Sequence, residues 1–446
     1  MNHSTAVEQT PALLTDLYQL TMLQSYWKEG MAQSAIYDFG MRSLPGCRNY
    51  LVMAGLESVL ELLESLHFTA QDLAYLSTLG LFGDDFLSWL QDFRFTGTVH
   101  ALAEGTLFFP PAPMLLIEAP LPQAQLVETA VMNQLHFQTL VASKAARVTQ
   151  ACQGKPFMEF ALRRTHGMDA GLKASRSAYL AGASLTSNVE AGRRWQIPVS
   201  GTMAHAFVQA HGDELSAFRA YAALYPEGAL LVDTYDTLQG VRHVIALAKE
   251  LGTAFRIRAI RLDSGDLVAL AKSARQMLDE AGLLQMKIYV SGGLDEHSVA
   301  QLEASGAPID AYAVGTSLWV SEDLPATSCV YKCAVYGGRP VMKKATGKRS
   351  LPGFKQLYRH QQDGRFSHDC IELRDAQASG TPLLQRVMVD GKRVNRPANP
   401  LAEARERCAE QLRQLPDELL GLTQASTPYP VQIGPHLTTL IEQLCG

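Results

Sequence analysis

Between about residues 123 and 320 the chain alternates short apolar runs with stretches whose hydrophobic positions recur every three or four residues. The run ALLV ends at Asp233, and Leu238, Val241, Ile245 and Ala248 then recur at helical spacing until Gly252. The next run ends at Asp263 in IRAIRLDSGD, and its helix carries Leu267, Leu270, Ala271, Ala274 and Leu278. KIYV follows and exits at Ser291, Asp295 offers a cap for a short helix stopped by Gly306, and DAYAV exits at Gly315. These four exits lie 24 to 30 residues apart, the period of βα units on a parallel sheet. KPFMEFALRRTHG and IPVSGTMAH read as two further strands with polar exits. Six polar exits on one rim predict a barrel or near-barrel whose active site lies at the carboxyl ends of its strands. An open doubly wound sheet gives the same spacing, so the period alone leaves both architectures standing.

The flanks carry a different pattern. Residues 1–115 mix a helical start, LLTDLYQLTMLQSYW, with short strands such as AIYDF and TVHAL, and prolines at 110, 111, 113, 120 and 122 predict a boundary. After Pro325 the pattern alternates with period two, as in CVYKCAVYGGRPVMKK, where Gly337-Gly338 reads as a hairpin turn. From about Leu401 onward we expect charged helix and loop. The expected organisation is therefore a barrel over 116–324, flanked by one domain built from 1–115 and 325–446.

Composition narrows the class. Hydrophobic residues make up 47% and charged residues 19% of 446, enough for a substantial core. A net charge of -5 leaves no basic footprint for nucleic acid. No apolar run approaches the ~18 residues of a membrane span, and the first residues, MNHSTAVEQTP, lack the pattern of a leader. The seven cysteines form no CxxC pair, so a cytoplasmic protein without a disulfide framework is expected.

The rim supplies the candidate chemistry. Arg163 and Arg164 leave their strand together and suit phosphate or carboxylate, although two arginines at a strand end also fit surface ion pairs. Asp263 is placed to orient ribose hydroxyls or hold Mg²⁺, and Arg261, two residues earlier, shares its face. Asp233 has the same placement, whereas Asp236 and Asp266 suit helix caps. Ser291, Gly292 and Gly293 at one exit, with Gly315 and Thr316 at the next, resemble the phosphate cup of many barrels. His205, in GTMAHAFV, has no second histidine or cysteine at ligand spacing, which argues against zinc. A packed histidine and a general base or nucleophile both remain open at this point.

Taken together, TDLYQLTM, RSLPGCRNYLVMAGLE, LRRTHGMDAGLKASRSAYLAGASLTSNVEAG, GTMAHAFV, VDTYDTLQGV, IRLDSGDL, DAYAVGTSL, LPGFKQLYR and the late YPVQI stretch resemble, in order, the blocks of nicotinate phosphoribosyltransferases. The resemblance implies the type II phosphoribosyltransferase fold, an irregular α/β barrel with a flanking α/β sandwich-like domain. It implies that nicotinate and 5-phosphoribosyl 1-diphosphate give nicotinate mononucleotide and pyrophosphate in NAD biosynthesis, with Mg²⁺ and with ATP as co-substrate. It implies a homodimer with shared active sites, phosphorylation of His205 by ATP, and contacts of Tyr18, Thr202 and Arg261 with nicotinate. Thr316 would lie at the sugar phosphate. Ala161 and His166 depart from the family's pattern, so His166 inherits no role, and a less aromatic YDFGMRSLP block leaves Arg42 without an inherited contact. The rival readings are a nicotinamide-specific relative, a quinolinate transferase, a catalytically dead binding protein and an unrelated barrel aldolase. Lys173 is the one nearby lysine that the aldolase reading has to use.

Overall fold

Short apolar strands followed by capped helices build the unit Val141–Pro325 of the computed structural model, which describes residues 11–44, 46–345, 348–394 and 397–445. The first ten residues, where no leader is expected, lie outside the described residues, as does Pro45 within the RSLPGCRNYLVMAGLE block. Strands Leu185–Thr186, Phe157–Glu159, Ala311–Val314, Lys287–Val290, Ala259–Leu262 and Ala229–Leu231 lie side by side in that order and run parallel. The last strand of this unit in chain order pairs with its first, Tyr312 opposite Phe157, which is how a barrel closes. The circle stays open between Leu185–Thr186 and Ala229–Leu231, where one parallel bridge joins Thr186 to Val199. The architecture is therefore a barrel with a gap.

The segment expected as a strand, IPVSGTMAH, shrinks to that bridge for a simple reason. Thr186 donates to the Pro198 carbonyl and accepts from Ser200, each at 3.0 Å, but Pro198 has no N–H with which to extend the ladder. The following residues, Gly201 to Ala204, run free of regular structure until the helix His205–Ala210 begins.

Three of the helices that follow strands begin at aspartates. Asp236 accepts from the Gln239 N–H at 2.7 Å, Asp266 from Ala269 at 3.1 Å and Asp295 from Ser298 at 2.8 Å, each satisfying an otherwise unpaired first-turn donor. The helix Thr237–Leu251 buries Gly240, Val241, Val244 and Leu247, while Leu238, Ile245 and Ala248 are only half-buried. Its face is thus rotated from the predicted stripe, because Gly240 sits directly on the Val232 carbonyl and draws the helix onto the strand there. Each fully buried Val or Leu on this face contributes about 1.5–3 kcal/mol.

One barrel strand buries an acid. Glu159 is wholly inaccessible and accepts the Thr186 hydroxyl. Burial pushes its carboxyl up to about 7, outweighing the donors on Thr186, Ser175 and Trp319.

The second unit comprises Met1–Leu140 and Ala326–Gly446. Its seven-stranded sheet centres on Pro113–Pro120, and the neighbouring Ser34–Met41 pairs antiparallel with that strand on one side and with Cys329–Tyr336 on the other. Residue 115 thus lies inside a largely buried strand, and the unit runs on to Leu140. The proline cluster does not end the unit, because MLLIEA between its prolines is apolar enough to form a central strand. Gly337 and Gly338 both take positive φ in the turn to Arg339–Pro340, the backbone a two-residue hairpin demands. A four-stranded sheet includes Val431–Ile433, parallel to Arg365–Leu373, within the region expected to hold only helix and loop. Three residues carry too little alternation to be read, and Tyr429, whose hydroxyl bonds Asp369 at 3.0 Å, anchors the strand.

Two outcomes are expected. Gly240→Ala drives a methyl into the Val232 carbonyl and lowers the unfolding free energy by about 1–3 kcal/mol, whereas Gly201→Ala, which meets nothing within 4 Å, leaves it unchanged. Equal denaturant midpoints for the two variants would contradict the close packing. Glu159 holds in the folded state a proton that the unfolded chain releases near pH ~4.3. Its contribution is complete below that pH and lost as pH rises through about 7. Stability should fall by on the order of 3 kcal/mol between pH ~5 and ~8 from this group, and Glu159→Gln should remove that slope.

Candidate active site

Arg261 occupies the third position of Ala259–Leu262, and its side chain is held on every edge. Nε donates to the Ser291 hydroxyl at 2.8 Å, one Nη to Thr202 Oγ1 at 2.9 Å and the other to Asp263 Oδ1 at 2.7 Å. The guanidinium also lies 5.4 Å from the centre of the Phe160 ring. Three of its five N–H groups are engaged, which leaves one on each terminal nitrogen for a ligand.

Asp263 takes the Ser291 hydroxyl and Arg261 on the same oxygen. Its other oxygen stands 3.6 Å from His205 Nε2. Burial pulls the carboxyl up, but the Ser291 hydroxyl, the Arg261 charge and hydrogen bond, and His205 hold it below its ordinary range. Asp233 works from behind: its Oδ2 accepts the Asp263 N–H at 3.0 Å and the Ser264 hydroxyl at 2.6 Å, while its Oδ1 is buried without a hydrogen-bond partner.

His205 opens the helix His205–Ala210, with Nδ1 3.1 Å from Thr234 Oγ1 and the ring edge partly exposed. In the tautomer that carries its proton on Nδ1 and donates it to Thr234, the lone pair of Nε2 faces the space beside Asp263. That space is a cavity of 620 Å³ lined by His205, Thr202, Phe160, Arg163, Arg261 and Asp263, among others. A neighbouring cavity of 330 Å³ shares Phe160, Arg163, Arg261 and Asp263 and adds Arg164, Gly292, Gly293, Gly315 and Thr316. Gly292 and Gly293 have φ of +99° and +65°, and Gly315 precedes the helical turn Thr316–Trp319. These glycines line the smaller cavity together with Arg163 and Arg164, a lining of small residues and cations that suits an anion. Arg163 and Arg164 have no ion-pair partner among the described residues.

The structure thus gathers His205, Thr202, Arg163, Arg164, Arg261, Asp263, Gly292, Gly293, Gly315 and Thr316 around two joined cavities, with Ser291 and Asp233 bracing them. Tyr18 belongs to the other unit, half-exposed in the first turn of Leu17–Lys28, with its hydroxyl accepting from Gln19 at 2.8 Å. Lys173 pairs with Asp169 at 2.5 Å, and His166 is exposed. Arg42 lines a cavity of 220 Å³ in its own unit with Lys332, Lys348 and Arg349. Thr234, Phe160 and Ser264 escaped the sequence reading. Thr234 sits beside a strand-end acid and Phe160 at a strand exit, a weak signal in each case.

Among the described residues no cluster of three or more His, Cys, Asp or Glu side chains is placed to hold a metal ion. Likewise, none of their helices is long and apolar enough to cross a membrane.

Known proteins match this arrangement along nearly the whole chain. Residues 13–136 match the nicotinate phosphoribosyltransferase (NAPRTase) N-terminal domain, and residues 372–441 the nicotinate phosphoribosyltransferase C-terminal domain. The chain is 48% identical to nicotinate phosphoribosyltransferase pncB2 of Mycobacterium tuberculosis, covering 97% of this chain and 94% of that one. It is 44% identical to the nicotinate phosphoribosyltransferase of Bacillus subtilis over 84% of this chain and 78% of that one. The crystal structure of human nicotinic acid phosphoribosyltransferase superposes with a TM-score of 0.87 at 28% identity, covering 97% of this chain and 100% of that one. The fold is that of the type II phosphoribosyltransferases, and the chain belongs to the nicotinate phosphoribosyltransferase family.

Proposed function

We propose that this protein forms nicotinate mononucleotide and pyrophosphate from nicotinate and 5-phosphoribosyl 1-diphosphate, a step of NAD biosynthesis, and couples the reaction to ATP hydrolysis. The observation that carries the reading is the Arg261 guanidinium, braced by Thr202, Ser291 and Asp263 beside a glycine-lined cup. Its two remaining N–H groups suit the carboxylate of nicotinate, and Phe160 offers a face for the pyridine ring. The cup at Gly292, Gly293, Gly315 and Thr316, with Arg163 and Arg164, suits the phosphates of the sugar.

In this geometry the ring nitrogen attacks the anomeric carbon. A C–N bond forms as the C–O bond to pyrophosphate breaks, and no proton has to move. Catalysis then rests on holding the two substrates in line and on stabilising a sugar that becomes positive and a departing pyrophosphate that becomes negative. The oxygen of Asp263 not taken by Arg261 faces the first charge, and the arginines and backbone N–H groups face the second.

Mg²⁺ fits this donor set only as an ion shared with the substrate. Asp263 would hold it through the oxygen not taken by Arg261, and substrate phosphates would have to supply the remaining positions. The ion would supply neutralisation of the leaving pyrophosphate.

We further assign His205 as the site phosphorylated by ATP. Nε2 attacks the terminal phosphorus, the bond to ADP breaks, and the proton stays on Nδ1, bonded to Thr234. Hydrolysis of the phosphoenzyme returns phosphate. The added charge beside Asp263 and Arg261 alters their contacts, which links ATP turnover to substrate binding. We place Tyr18 against the pyridine ring of a partner's site in a homodimer, as the resemblance implies, and the protein in the cytoplasm, which its scattered cysteines favour.

Product formation with nicotinate or nicotinamide, each with and without ATP, tests the reading. We expect nicotinate mononucleotide only, formed faster with ATP. His205→Ala should abolish the ATP stimulation and the incorporation of labelled phosphate but keep a slow ATP-independent reaction. Arg261→Lys, which loses the fork, should raise the KM for nicotinate at least ~10-fold. Equal use of nicotinamide, or no product from either, would overturn the assignment.

A further inference from the structure

Behind the cup lies a buried ionic network that none of the chemistry above uses. Lys144 and Arg147 sit one helical turn apart on Glu128–Ala151 and face the same side. Lys144 Nζ bonds Glu296 at 2.7 Å and Asp323 at 2.8 Å, and Arg147 Nε meets the other oxygen of Glu296 at 3.0 Å. Lys144, Arg147 and Glu296 are nearly inaccessible to solvent, and only Asp323 keeps a partly exposed edge. Each carboxylate meets at least one cation, the condition under which buried ions are tolerated.

The two acids are the far ends of the two cup loops. Glu296 follows the Gly292, Gly293, Leu294, Asp295 exit and begins the next helix. Asp323 is joined to Thr316 and Ser317 by a run of local bonds: Val320 N–H to the Thr316 carbonyl at 3.1 Å, Glu322 to Ser317 at 3.0 Å and Leu324 to Ser321 at 2.8 Å. At the rim the same loops meet once more, where the Ser317 hydroxyl donates to the Leu294 carbonyl at 2.7 Å. One side chain therefore spans the backs of both loops, and one hydrogen bond spans their fronts.

An anion cup built from two loops works only if their N–H groups hold a fixed spacing before the anion arrives. We propose that Lys144 is a positioning residue for phosphate binding: by bonding Glu296 and Asp323 together it sets the distance between the two glycine loops. The ammonium has the right chemistry for this, since its three donors can serve two carboxylates at once. Arg147 adds a second cation to Glu296 and so keeps that acid paired on both oxygens.

The proposal rests on the cup being the phosphate site, and its test separates the two ideas. Pyrophosphate binding to the full-length protein is measured by calorimetry, alongside KM for the phosphoribosyl donor and for nicotinate. Asp323→Asn, at the exposed end of the network, should weaken pyrophosphate binding and raise the donor KM by ~10-fold. It should leave the nicotinate KM and the melting temperature close to those of the unmodified protein. Lys144→Arg should retain most of the affinity, and Lys144→Met should lose it. Ser317→Ala combined with Asp323→Asn should depart from the product of the single effects by about threefold or more, because both ties hold the same pair of loops.

A fall in melting temperature with pyrophosphate affinity and donor KM within about twofold of the parent would overturn the proposal and leave a purely structural network. Failure of the unmodified protein to bind pyrophosphate would overturn it as well. Tight pyrophosphate binding that weakens in the variants, in a protein that makes no nicotinate mononucleotide, would uphold the positioning role and sink the functional reading instead.

Discussion

The ion pair of Arg261 with Asp263 is the constraint on which the rest of the site depends. Two residues apart at one strand end, both side chains emerge on the same side, so their 2.7 Å contact follows from the pleat itself. The guanidinium is only 15% exposed, and a cation so placed needs a countercharge and filled hydrogen bonds. Asp263 gives the first, and Thr202 and Ser291 complete the second. What remains is a planar donor locked in one orientation at the mouth of the barrel. Such a group discriminates by charge: an ionised carboxylate gains charge-assisted bonds there, whereas a neutral amide brings donors of its own to meet N–H groups.

The same pair shows how far one strand end reaches. Asp263 spends one oxygen on Arg261 and Ser291 and keeps the other for the cavity and His205. Its N–H is held by Asp233, so the neighbouring strand exit also fixes its height. Three strand exits and the gap segment carrying Thr202 therefore converge on one carboxylate and one guanidinium. The gap in the barrel is part of this arrangement. A full strand through residues 197–204 would keep its N–H groups in a ladder, whereas the single bridge at Val199 frees the chain to bring Thr202 to Arg261 and His205 to the rim.

Much of this was legible because the signals are local. A βα period of 24 to 30 residues, an aspartate before the helices that start at 237, 267 and 296, and polar residues after each apolar run require only sequence spacing. Asp266 could be separated from Asp263 by cap geometry alone, and the structure has it capping its helix. What stayed hidden depends on partners distant in sequence. The helix face that follows Asp236 turns because Gly240 meets Val232. The prolines around residue 115 read as a boundary, yet Leu115 and Leu116 find strands on both sides. Thr234, Phe160 and Lys144 are ordinary residues in sequence and acquire a role only when His205, Arg261 and the two cup loops arrive beside them.

Gly292 joins these levels. Its φ of +99° suits glycine, and a Cβ there would strike the carbonyl oxygen of Asp263. The missing side chain therefore lets the Ser291 exit lie directly on the Asp263 exit. That contact keeps the Ser291 hydroxyl within reach of both Arg261 and Asp263. It also starts the loop that ends at Glu296, where Lys144 takes hold. A residue larger than glycine at 292 would push the first cup loop away from the carboxylate and unsettle both ends at once. The Arg261 side of the site and the glycine-lined cavity are thus coupled through one backbone contact, and the chemistry proposed for them depends on an atom the sequence leaves out.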